Sequence, residues 1–321
     1  MIDKIRFSKK NLTDSEIANL VQKNNLDKYV NGSEVSYNNL KLKNFTGGWY
    51  IRIDAKKNLI IDGSLHKFYN WNFTKKLDNF NRFTMHQAKE TFLLFIELIG
   101  LNSTGVTITN FEVGINVITN FEPINFLDNV RSIGDFDNEK ILYINPKYKE
   151  RKFLTTEFHK DYRIVFKAYD KIFEMNDRKK APPEKTNILR IETVHKRCEK
   201  KFLIDFLNIE NLKKVQNSFF YGWDKLNFFV EAKAPKNTSQ SKISLAKNLF
   251  NKNQSIILDN LKNSYNNGGV TIKSYYTQKR FIENWEIEKT NFEPTKTLLC
   301  KKWETLYNIE KQIHNENLSM K

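Results

Sequence analysis

The spacing of apolar residues changes along this chain, and the change limits the folds that the chain can adopt. Up to about residue 200, short stretches alternate between apolar and polar residues, as in "VTITNFEVGINVI" (106–118). Farther along, apolar residues recur at helical spacing, as in "SLAKNLFNKNQSIILDNLKNSY" (244–265) and "TLLCKKWETLYNIEKQIH" (297–314). Alternation is typical of strands, whereas a spacing of three to four residues is typical of helices. We therefore predict an α+β first part, residues 1–215, and a mostly helical second part, residues 216–321.

Two further patterns refine the first part. The β-rich stretches "GWYIRID" (48–54) and "NLIIDGSL" (58–65) are separated by a short polar segment, which predicts a hairpin. In "MHQAKETFLLFIELIGLN" (85–102), apolar residues return to helical spacing and Gly100 is a suitable stop. The polar segment 134–161 is predicted to be a long loop.

The charge of the chain points to an anionic partner. It has 53 Lys and Arg residues against 37 Asp and Glu residues, a formal net charge of +16. Such an excess favours nucleic acid first and an anionic membrane second, although a basic surface kept for solubility has the same composition. Cys198 and Cys300 form no CxxC pair, so they predict neither a disulfide framework nor a zinc site. Because the chain has neither a signal-peptide pattern nor a long apolar segment, we expect a cytoplasmic protein without a membrane partner.

A tyrosine lies among cationic residues in "YRIVFKAYDK" (162–171), which alternates as a strand. The alternation places Tyr169 on one face with Lys167 and Lys171, and Tyr162 on the apolar face. A phenol with a pKa of about 10 is a poor nucleophile at neutral pH, but adjacent positive charge or a metal ion favours the phenolate. The pattern indicates either an activated tyrosine or a solvated basic face with a tyrosine packed among lysine stems.

Two glutamates lie inside apolar runs, Glu112 in "NFEVGINV" and Glu192 in "ILRIET". Glutamate is depleted in strands and is rarely buried without a partner. On neighbouring strands the two carboxylates can bind one hard divalent cation, Mg²⁺ or Mn²⁺, with water and phosphate oxygens as further ligands. The alternative is an ordinary ion pair, because Arg190 shares a strand face with Glu192. His66 follows the second strand of the predicted hairpin, where it is a metal ligand, a phosphate contact or an exposed side chain.

Basic and aromatic residues interleave in "LHKFYNWNFTKK" (65–76). Stacking platforms beside cations bind single-stranded nucleic acid. An edge strand with one aromatic face has the same pattern. The candidate contacts in this segment are Lys67, Tyr69, Asn70, Trp71 and Asn72.

Five segments in order along residues 1–205 resemble the phage and plasmid replication proteins of the gene II/X family. These are the rolling-circle initiators of filamentous phages and related plasmids, in the HUH-like endonuclease class. The segments are "MIDKIRF", "GSLHKFYNWNF", "NFEVGINV", "FKAYDKIFEM" and "LRIETVHKR". In the fourth segment, a lysine follows the tyrosine by two residues and an acid follows that lysine by three.

This resemblance implies a central antiparallel sheet flanked by helices, with the active site on one face of the sheet. It makes Tyr169 the nucleophile and Lys171 its neighbouring cation, and it assigns Glu112 and Glu192 to a divalent metal. The implied reaction is a transesterification, in which the tyrosine attacks a DNA phosphodiester, forms a 5′-phosphotyrosine bond and frees a 3′-hydroxyl. Its implied partners are single- and double-stranded origin DNA and a bacterial host's helicase and polymerase. Lys167 and Arg190 are further candidate DNA contacts, and the helical second part is expected to bind DNA or a partner.

The chain also departs from the wider class, because it lacks the paired histidines that give the class its name. The sequence therefore does not determine the full set of metal ligands. His66 stands at a position where family members need not have histidine. A non-catalytic basic DNA-binding protein on the same fold, such as an origin-binding or partition factor, agrees with the same charge and aromatic content. An RNA-binding module is a further alternative.

Overall fold

Strands and helices alternate along the chain, and a computed structural model describes them for residues 1–40, 48–135, 138–145, 148, 153–156, 163–177 and 186–319. The strands within these residues are β1 Ile2–Lys9, β2 Asp27–Asn31, β3 Glu34–Asn38, β4 Tyr50–Ile53, β5 Leu59–Ser64, β6 Thr107–Thr119, β7 Val130–Ile133, β8 Lys140–Ile141, β9 Tyr143–Ile144, β10 Phe153–Thr155, β11 Ile164–Asp170, β12 Asn187–His195, β13 Lys201–Phe202, β14 Leu226–Phe228, β15 Glu231–Lys233 and β16 Glu293–Thr295. The helices are α1 Asp14–Asn24, α2 Leu65–Thr74, α3 Met85–Ile99, α4 Pro123–Asn129, α5 Lys171–Asp177, α6 Leu203–Phe206, α7 Ile209–Trp223, α8 Gln240–Asn251, α9 Gln254–Asn266, α10 Ile272–Glu283, α11 Trp285–Glu288 and α12 Leu298–Ser319.

One large antiparallel sheet, with helices flanking it, organises the first part of the chain. Among the described residues it has eleven strands, in the order β2-β3-β4-β5-β1-β6-β12-β11-β10-β9, with β13 paired to β6. The long strand β6 lies between β1 and β12 and alternates as its sequence predicts. Its apolar face is buried, and the opposite face carries Glu112 and Asn116, both half-buried. The α+β fold class with a central antiparallel sheet is confirmed.

The predicted hairpin and the predicted helix after it are also confirmed. Strands β4 and β5 pair antiparallel, with Ile51 opposite Ile61. Helix α3 begins after Thr84, whose side chain accepts a hydrogen bond from the backbone N–H of Gln87. It ends at Gly100, which adopts a left-handed conformation with φ of 69°. A residue with a Cβ is strained in that conformation, which explains why glycine ends the helix.

Two predicted elements are wrong. The segment 134–161 is not a continuous loop, because it contains β8, β9 and β10, and β10 pairs with β11. Residues 65–74 form helix α2 rather than an extended strand. The side chain of Ser64 caps this helix by accepting a hydrogen bond from the backbone N–H of Lys67. Tyr162 lies outside the described residues, and β11 begins at Ile164.

The contacts within the chain divide it into two units. Unit 1 comprises Met1–Asp128, Ser132–Leu226 and Thr305–Lys321, and unit 2 comprises Asn129–Arg131 and Asn227–Glu304. The boundary predicted at residue 215 lies inside α7, whereas the division falls after Leu226 and the later part of α12 belongs to unit 1. No helix in the described residues combines the length and the apolar character needed to cross a membrane.

Candidate active site

Tyr169 lies on β11, the strand next to β12 in the sheet of unit 1. Its hydroxyl donates a hydrogen bond of 2.9 Å to Oε1 of Glu192. The ring of Phe153, from β10, stacks on the tyrosine ring with centroids 4.7 Å apart. Only 5% of Tyr169 is exposed, so its ring is held between neighbouring strands while its hydroxyl is aimed at a carboxylate. The antiparallel pairing of β11 with β12 places Tyr169 opposite Arg190, two residues from Glu192 on the same face of the sheet.

The electrostatic environment of this phenol differs from the one predicted from the neighbouring Lys167 and Lys171. Burial raises the pKa of Tyr169 well above its ordinary value, and the negative charge of Glu192 raises it further. The positive charge of Arg190 acts in the opposite direction but does not compensate. Tyr169 is therefore a neutral hydrogen-bond donor at neutral pH, and it becomes a nucleophile only if a base removes its proton during the attack.

Glu192 and Arg190 lie two residues apart on β12, so their side chains leave the same face of the strand. The guanidinium Nε of Arg190 donates to Oε1 of Glu192, the same oxygen that accepts from Tyr169. Burial alone would raise the pKa of Glu192, but the charge of Arg190 holds it below its usual range. The ion pair left open by the sequence pattern is thus present. Arg190 and Tyr169 share Oε1 of Glu192, and among the described residues Oε2 accepts no hydrogen bond.

Asp3, on β1, is a member of the site that the sequence did not single out. It is buried, and its carboxylate accepts hydrogen bonds from Arg190, from Ser64 and, over 2.8 Å, from Asn79. Burial alone would raise the pKa of Asp3, but the positive charge of Arg190 lowers it well below its usual range. An acid inside the apolar strand "MIDKIRF" is the same signal that identified Glu112, so this residue could have been found.

The sequence predicts that Arg190 contacts DNA. In the structure, however, the guanidinium N–H groups of Arg190 donate hydrogen bonds to other side chains of the protein. Its side chain is 1% exposed, and its Nη1 donates to Oδ1 of Asn116 over 2.9 Å in addition to the two carboxylates. A buried guanidinium with carboxylates on both sides positions those carboxylates and does not reach a polymer in solvent. Arg190 is therefore a positioning residue for Glu192.

Gly114 allows Glu192 and Arg190 to lie close against the neighbouring strand. It lies opposite Glu192 in the pairing of β6 with β12. A Cβ at this position would be 2.9 Å from Cγ of Glu192 and 3.0 Å from the backbone oxygen of Ile191. Both distances are shorter than ordinary van der Waals contact, so a side chain here would displace the glutamate.

Glu112 and Lys167 form a second charged pair at the site. Lys167 Nζ lies 3.8 Å from Oε1 of Glu112, and about a fifth of each side chain is exposed. Burial raises the pKa of Glu112, and the nearby negative charge of Glu192 raises it further. Two carboxylates that repel each other in this way are stabilised by a cation between or beside them. The structure therefore brings Glu112 and Glu192 together, as the sequence predicts.

Lys171 begins helix α5, directly after the strand that carries Tyr169. Its ammonium donates to Glu174 over 2.7 Å and lies 5.9 Å from the centroid of the Tyr169 ring. Burial lowers the pKa of Lys171 to about 8, with a further contribution from the charge of Arg190. Lys171 thus carries its charge at neutral pH and loses it in mildly alkaline solution. Glu174, its partner, is the acid that follows Lys171 by three residues in the sequence motif.

These groups line one cavity of about 680 Å³ in unit 1. Tyr169, Glu112, Glu192, Asp3 and Glu174 contribute to its wall. Four lysines also line it, namely Lys4, Lys67, Lys167 and Lys171. The cavity combines a phenol, carboxylates and several cations, which is a suitable environment for a phosphodiester. Of the predicted DNA contacts, Lys67 and Lys167 are the two at this cavity.

The aromatic segment does not form the predicted stacking platform. Because residues 65–74 are helical, side chains two positions apart point in different directions. Tyr69 packs on Phe83 and accepts a hydrogen bond from Gln87, whereas Trp71 stacks near Phe68. Asn70 is buried and donates to Asp78 and Asn81, and Asn72 is half-buried on the same helix. The alternation in sequence therefore reflects two sides of a helix.

His66 makes its contacts outside the cavity that Tyr169 lines. It is buried on α2, its ring stacks on Phe83, and its Nε2 is 2.6 Å from Oδ1 of Asn81. Burial lowers the pKa of His66 to about 3, so the ring is neutral. Among the residues that line the cavity of Tyr169, His66 does not occur. The possibility of an exposed side chain is therefore wrong, and the described contacts of His66 are packing on Phe83 and hydrogen bonding to Asn81.

Of the side chains at this site, the two glutamates, Glu112 and Glu192, are the ones suited to bind a divalent cation. Within the described residues, no group of three or more His, Cys, Asp and Glu side chains is arranged to hold a metal ion. Mg²⁺, however, is commonly bound by one or two protein carboxylates together with water and substrate phosphates. The mutual repulsion of Glu112 and Glu192 agrees with such a site.

Comparison with known proteins identifies no family for this chain. No family model matches the chain, and no curated protein matches it. The functional argument therefore depends on the site itself.

Proposed function

We propose that the protein nicks and rejoins DNA by tyrosine transesterification, as an initiator of rolling-circle replication. The single observation that carries this proposal is the hydrogen bond of 2.9 Å between Tyr169 and Glu192 in a cavity that four lysines line. A phenol, a base within bonding distance and cations for phosphate are the groups that this reaction needs. The resemblance of five sequence segments to the gene II/X replication proteins supports the same reaction.

In the proposed reaction, the Tyr169 oxygen attacks the phosphorus of a DNA phosphodiester. An O–P bond forms to the tyrosine, the bond from phosphorus to the 3′-oxygen breaks, and the phenolic proton passes to Glu192. Lys171 stabilises the departing 3′-oxygen and donates the proton that converts it to a hydroxyl, and Lys167 offsets charge on the phosphate. The products are a 5′-phosphotyrosine bond and a free 3′-hydroxyl, and reversal of the same step reseals the strand without a nucleotide cofactor.

Glu112 and Glu192 are the residues that would hold Mg²⁺ or Mn²⁺. A bound divalent ion would supply Lewis-acid polarisation of the phosphate oxygens. The partners of such an enzyme are origin DNA in single- and double-stranded form, a host helicase and a host polymerase that extends the 3′-hydroxyl. The site of action is then the cytoplasm of a bacterial host cell.

A covalent-adduct assay tests the proposal. Full-length protein is incubated with Mg²⁺ and a random-sequence single strand that carries its label at the 3′ end, and labelled protein is detected on a denaturing gel. Tyr169→Phe should form no adduct while its binding to the same strand is unchanged. Tyr50→Phe is the matched control, because Tyr50 lines the same cavity. An undiminished adduct with Tyr169→Phe would exclude this nucleophile and would favour Tyr148 or Tyr162.

The carboxylates have their own test. Glu112→Gln and Glu192→Gln should reduce cleavage in Mg²⁺ far more than they reduce DNA binding. Asp62→Asn is a suitable control, since Asp62 lines the cavity but pairs with Lys4 over 3.4 Å. Normal cleavage by either glutamine variant would exclude that residue as a metal ligand.

The second candidate is a non-catalytic DNA-binding protein on the same fold, such as an origin-binding or partition factor. The near-complete burial and raised pKa of Tyr169 favour it, since both oppose ionisation of the phenol. This candidate predicts salt-sensitive DNA binding with no denaturation-resistant adduct in any divalent metal. The labelled-strand assay separates the two functions.

A further inference from the structure

Three helices of unit 2, α8, α9 and α10, pack around one small apolar core. The buried residues of this core are Leu245, Ala246, Leu249, Ile257, Leu261, Phe281, Ile282, Trp285 and Phe292. Each of the three helices contributes to the core and contacts the other two. These helices of unit 2 therefore share an apolar core of their own. One face of the third helix, α10, does not pack against that core.

A tight turn joins α9 to α10. It comprises residues 267–271 and contains Gly268, whose φ of 73° favours glycine. The backbone N–H of Gly269 donates to the carbonyl of Ser264 over 2.8 Å, which closes the end of α9. The side chain of Thr271 then caps α10 by accepting from the backbone N–H of Ser274. A helix, a short glycine-containing turn and a second helix on a shared core are the elements of the helix-turn-helix motif, whose second helix enters the major groove of DNA.

Helix α10 has two distinct faces. Phe281 and Ile282 are buried in the core, and the half-buried Tyr275 stacks on Tyr265 with ring centroids 4.6 Å apart. The opposite face exposes residues at positions i, i+3, i+4 and i+7, which are Lys273, Tyr276, Thr277 and Arg280. Ile272 precedes this face and is 60% exposed. The exposed face thus carries two cations, a phenol, a hydroxyl and an apolar group.

The positive charge on the exposed face of α10 indicates that its binding partner is an anion. Residues 240–283 contain seven Lys and Arg residues against two Asp and Glu residues. Lys279 pairs with Glu283 over 3.6 Å, but in the described part of the chain Lys273 and Arg280 have no acidic partner. Two unneutralised cations at the two ends of an exposed helical face are available for phosphates on either side of a groove.

We propose that the exposed face of α10 binds duplex DNA in the major groove. From Lys273 to Arg280 the helix rises about 10 Å, which matches the rise of three base pairs at about 3.4 Å each. Lys273 and Arg280 contact phosphates, while Tyr276 and Thr277 contact bases and Ile272 faces a thymine methyl group. A single strand would instead require several exposed rings for stacking, and of the two tyrosines on α10 only Tyr276 is exposed. The inference concerns binding alone and is independent of the nicking activity.

The first test measures the affinity of full-length protein for a random-sequence duplex over a range of salt concentrations. The variant Lys273→Ala/Arg280→Ala should bind the duplex ~10-fold or more weakly, and its log–log salt slope should be smaller by about 2. Lys10→Ala/Lys214→Ala removes the same charge from exposed positions of unit 1 and should leave both quantities unchanged. Circular dichroism confirms that the helices are intact. Unchanged duplex affinity, or a loss confined to single strands or an RNA hairpin, would overturn the inference.

The second test separates base recognition from charge. Duplexes are selected from a randomised pool with the wild type, Tyr276→Ala and Thr277→Ala, and the enriched sequences are compared. The two variants should enrich different bases at a few adjacent positions with no change in salt slope. Identical enriched sequences would overturn recognition through α10. Because Lys273→Ala/Arg280→Ala should still form the Tyr169 adduct on a single strand, failure of nicking and failure of duplex binding are distinguishable.

Discussion

Arg190 is among the largest side chains that unit 1 buries completely, and carboxylates lie on two sides of its guanidinium. Burying a charge lowers stability unless an opposite charge is paired with it. The buried carboxylates that pair with Arg190 therefore need its positive charge as much as it needs theirs. Asp3 and Glu192 both have their pKa lowered by Arg190 against the effect of burial. At the scale of single residues, the candidate site is therefore a chain of compensated charges that ends at the Tyr169 hydroxyl.

Replacing Arg190 with methionine tests whether these paired charges depend on one another. Arg190→Met leaves two buried carboxylates without a counter-charge, so the free energy of unfolding should fall by ~3–5 kcal/mol. Urea unfolding followed by circular dichroism gives this value. Arg52→Met on the exposed side of β4 is the control and should change stability by less than about 0.5 kcal/mol. A loss for Arg190→Met as small as that of the control would contradict the proposed dependence.

The pKa of Lys171 sets a limit on activity at alkaline pH. Because this pKa is about 8, the ammonium that would stabilise the leaving oxygen is lost as the pH rises through that value. The initial rate of adduct formation should therefore fall as the pH rises through about 8, with no opposing gain from Tyr169, whose pKa lies well above 10. Lys171→Gln should be slower at neutral pH and should show no decline in this range. A wild-type rate that stays constant or rises would exclude Lys171 from the step.

At the scale of elements, three adjacent strands assemble the site. Strand β12 lies between β6 and β11, and it contributes Arg190 and Glu192. Strand β11 places Lys167 opposite Glu192 in register and Tyr169 opposite Arg190. On the other side, β6 places Gly114 opposite Glu192 and Asn116 opposite Arg190. A shift of one residue in either register would turn these side chains to the other face of the sheet.

Gly114→Ala probes how closely β6 and β12 must approach. The added methyl group would lie 2.9 Å from Glu192 Cγ, so the glutamate side chain must move. We expect a loss of stability of about 1–3 kcal/mol. Adduct formation should fall by at least ~10-fold, because misplacement of a base by a fraction of an ångström slows proton transfer. Ile118→Ala, at an exposed position of the same strand, is the control for the adduct assay. Full adduct yield from Gly114→Ala would show that Glu192 need not be fixed.

At the scale of the whole molecule, the order of the units differs from the order of the chain. Unit 2 is inserted between two segments of unit 1, and the later part of α12 completes unit 1. In that part, Glu310 pairs with Arg82 over 2.7 Å and the Tyr307 hydroxyl donates to the carbonyl of Phe220 over 3.1 Å. The later part of the last helix thus belongs to the unit that contains the candidate site.

Truncation tests the role of this helix. Ending the chain after Glu304 removes the buried side chains of Tyr307, His314 and Leu318 from unit 1. The free energy of unfolding of the sheet unit should fall by more than about 3 kcal/mol. Adduct formation should be lost with it. A chain that ends after Ser319 is the control and should behave as the full-length protein. If the shorter chain unfolds at the same urea concentration as the control, α12 does not stabilise unit 1.

Local patterns predicted the elements whose residues interact mainly with near neighbours or with one sheet face. Helix α3 and its glycine stop follow from spacing, and the buried face of β6 follows from alternation. Residues 65–76 were misread because aromatic residues at every second position suit a strand, although Ser64 caps a helix there. Asp3 also lies inside an apolar run and could have been singled out, but its pairing with Arg190, 187 positions away in sequence, is not a local property.

The sequence by itself determined that the chain folds as α+β, because the spacing of apolar residues is a local property. Ionisable residues inside apolar segments are also a local signal, and this signal singled out Tyr169, Lys171, Glu112 and Glu192. Only the tertiary structure decided that Tyr169 donates to Glu192, that Arg190 is an internal counter-charge and that His66 contacts Asn81 and does not line the cavity. Strand order and register are set by packing across the whole sheet, so distances between these groups depend on contacts that no short segment encodes.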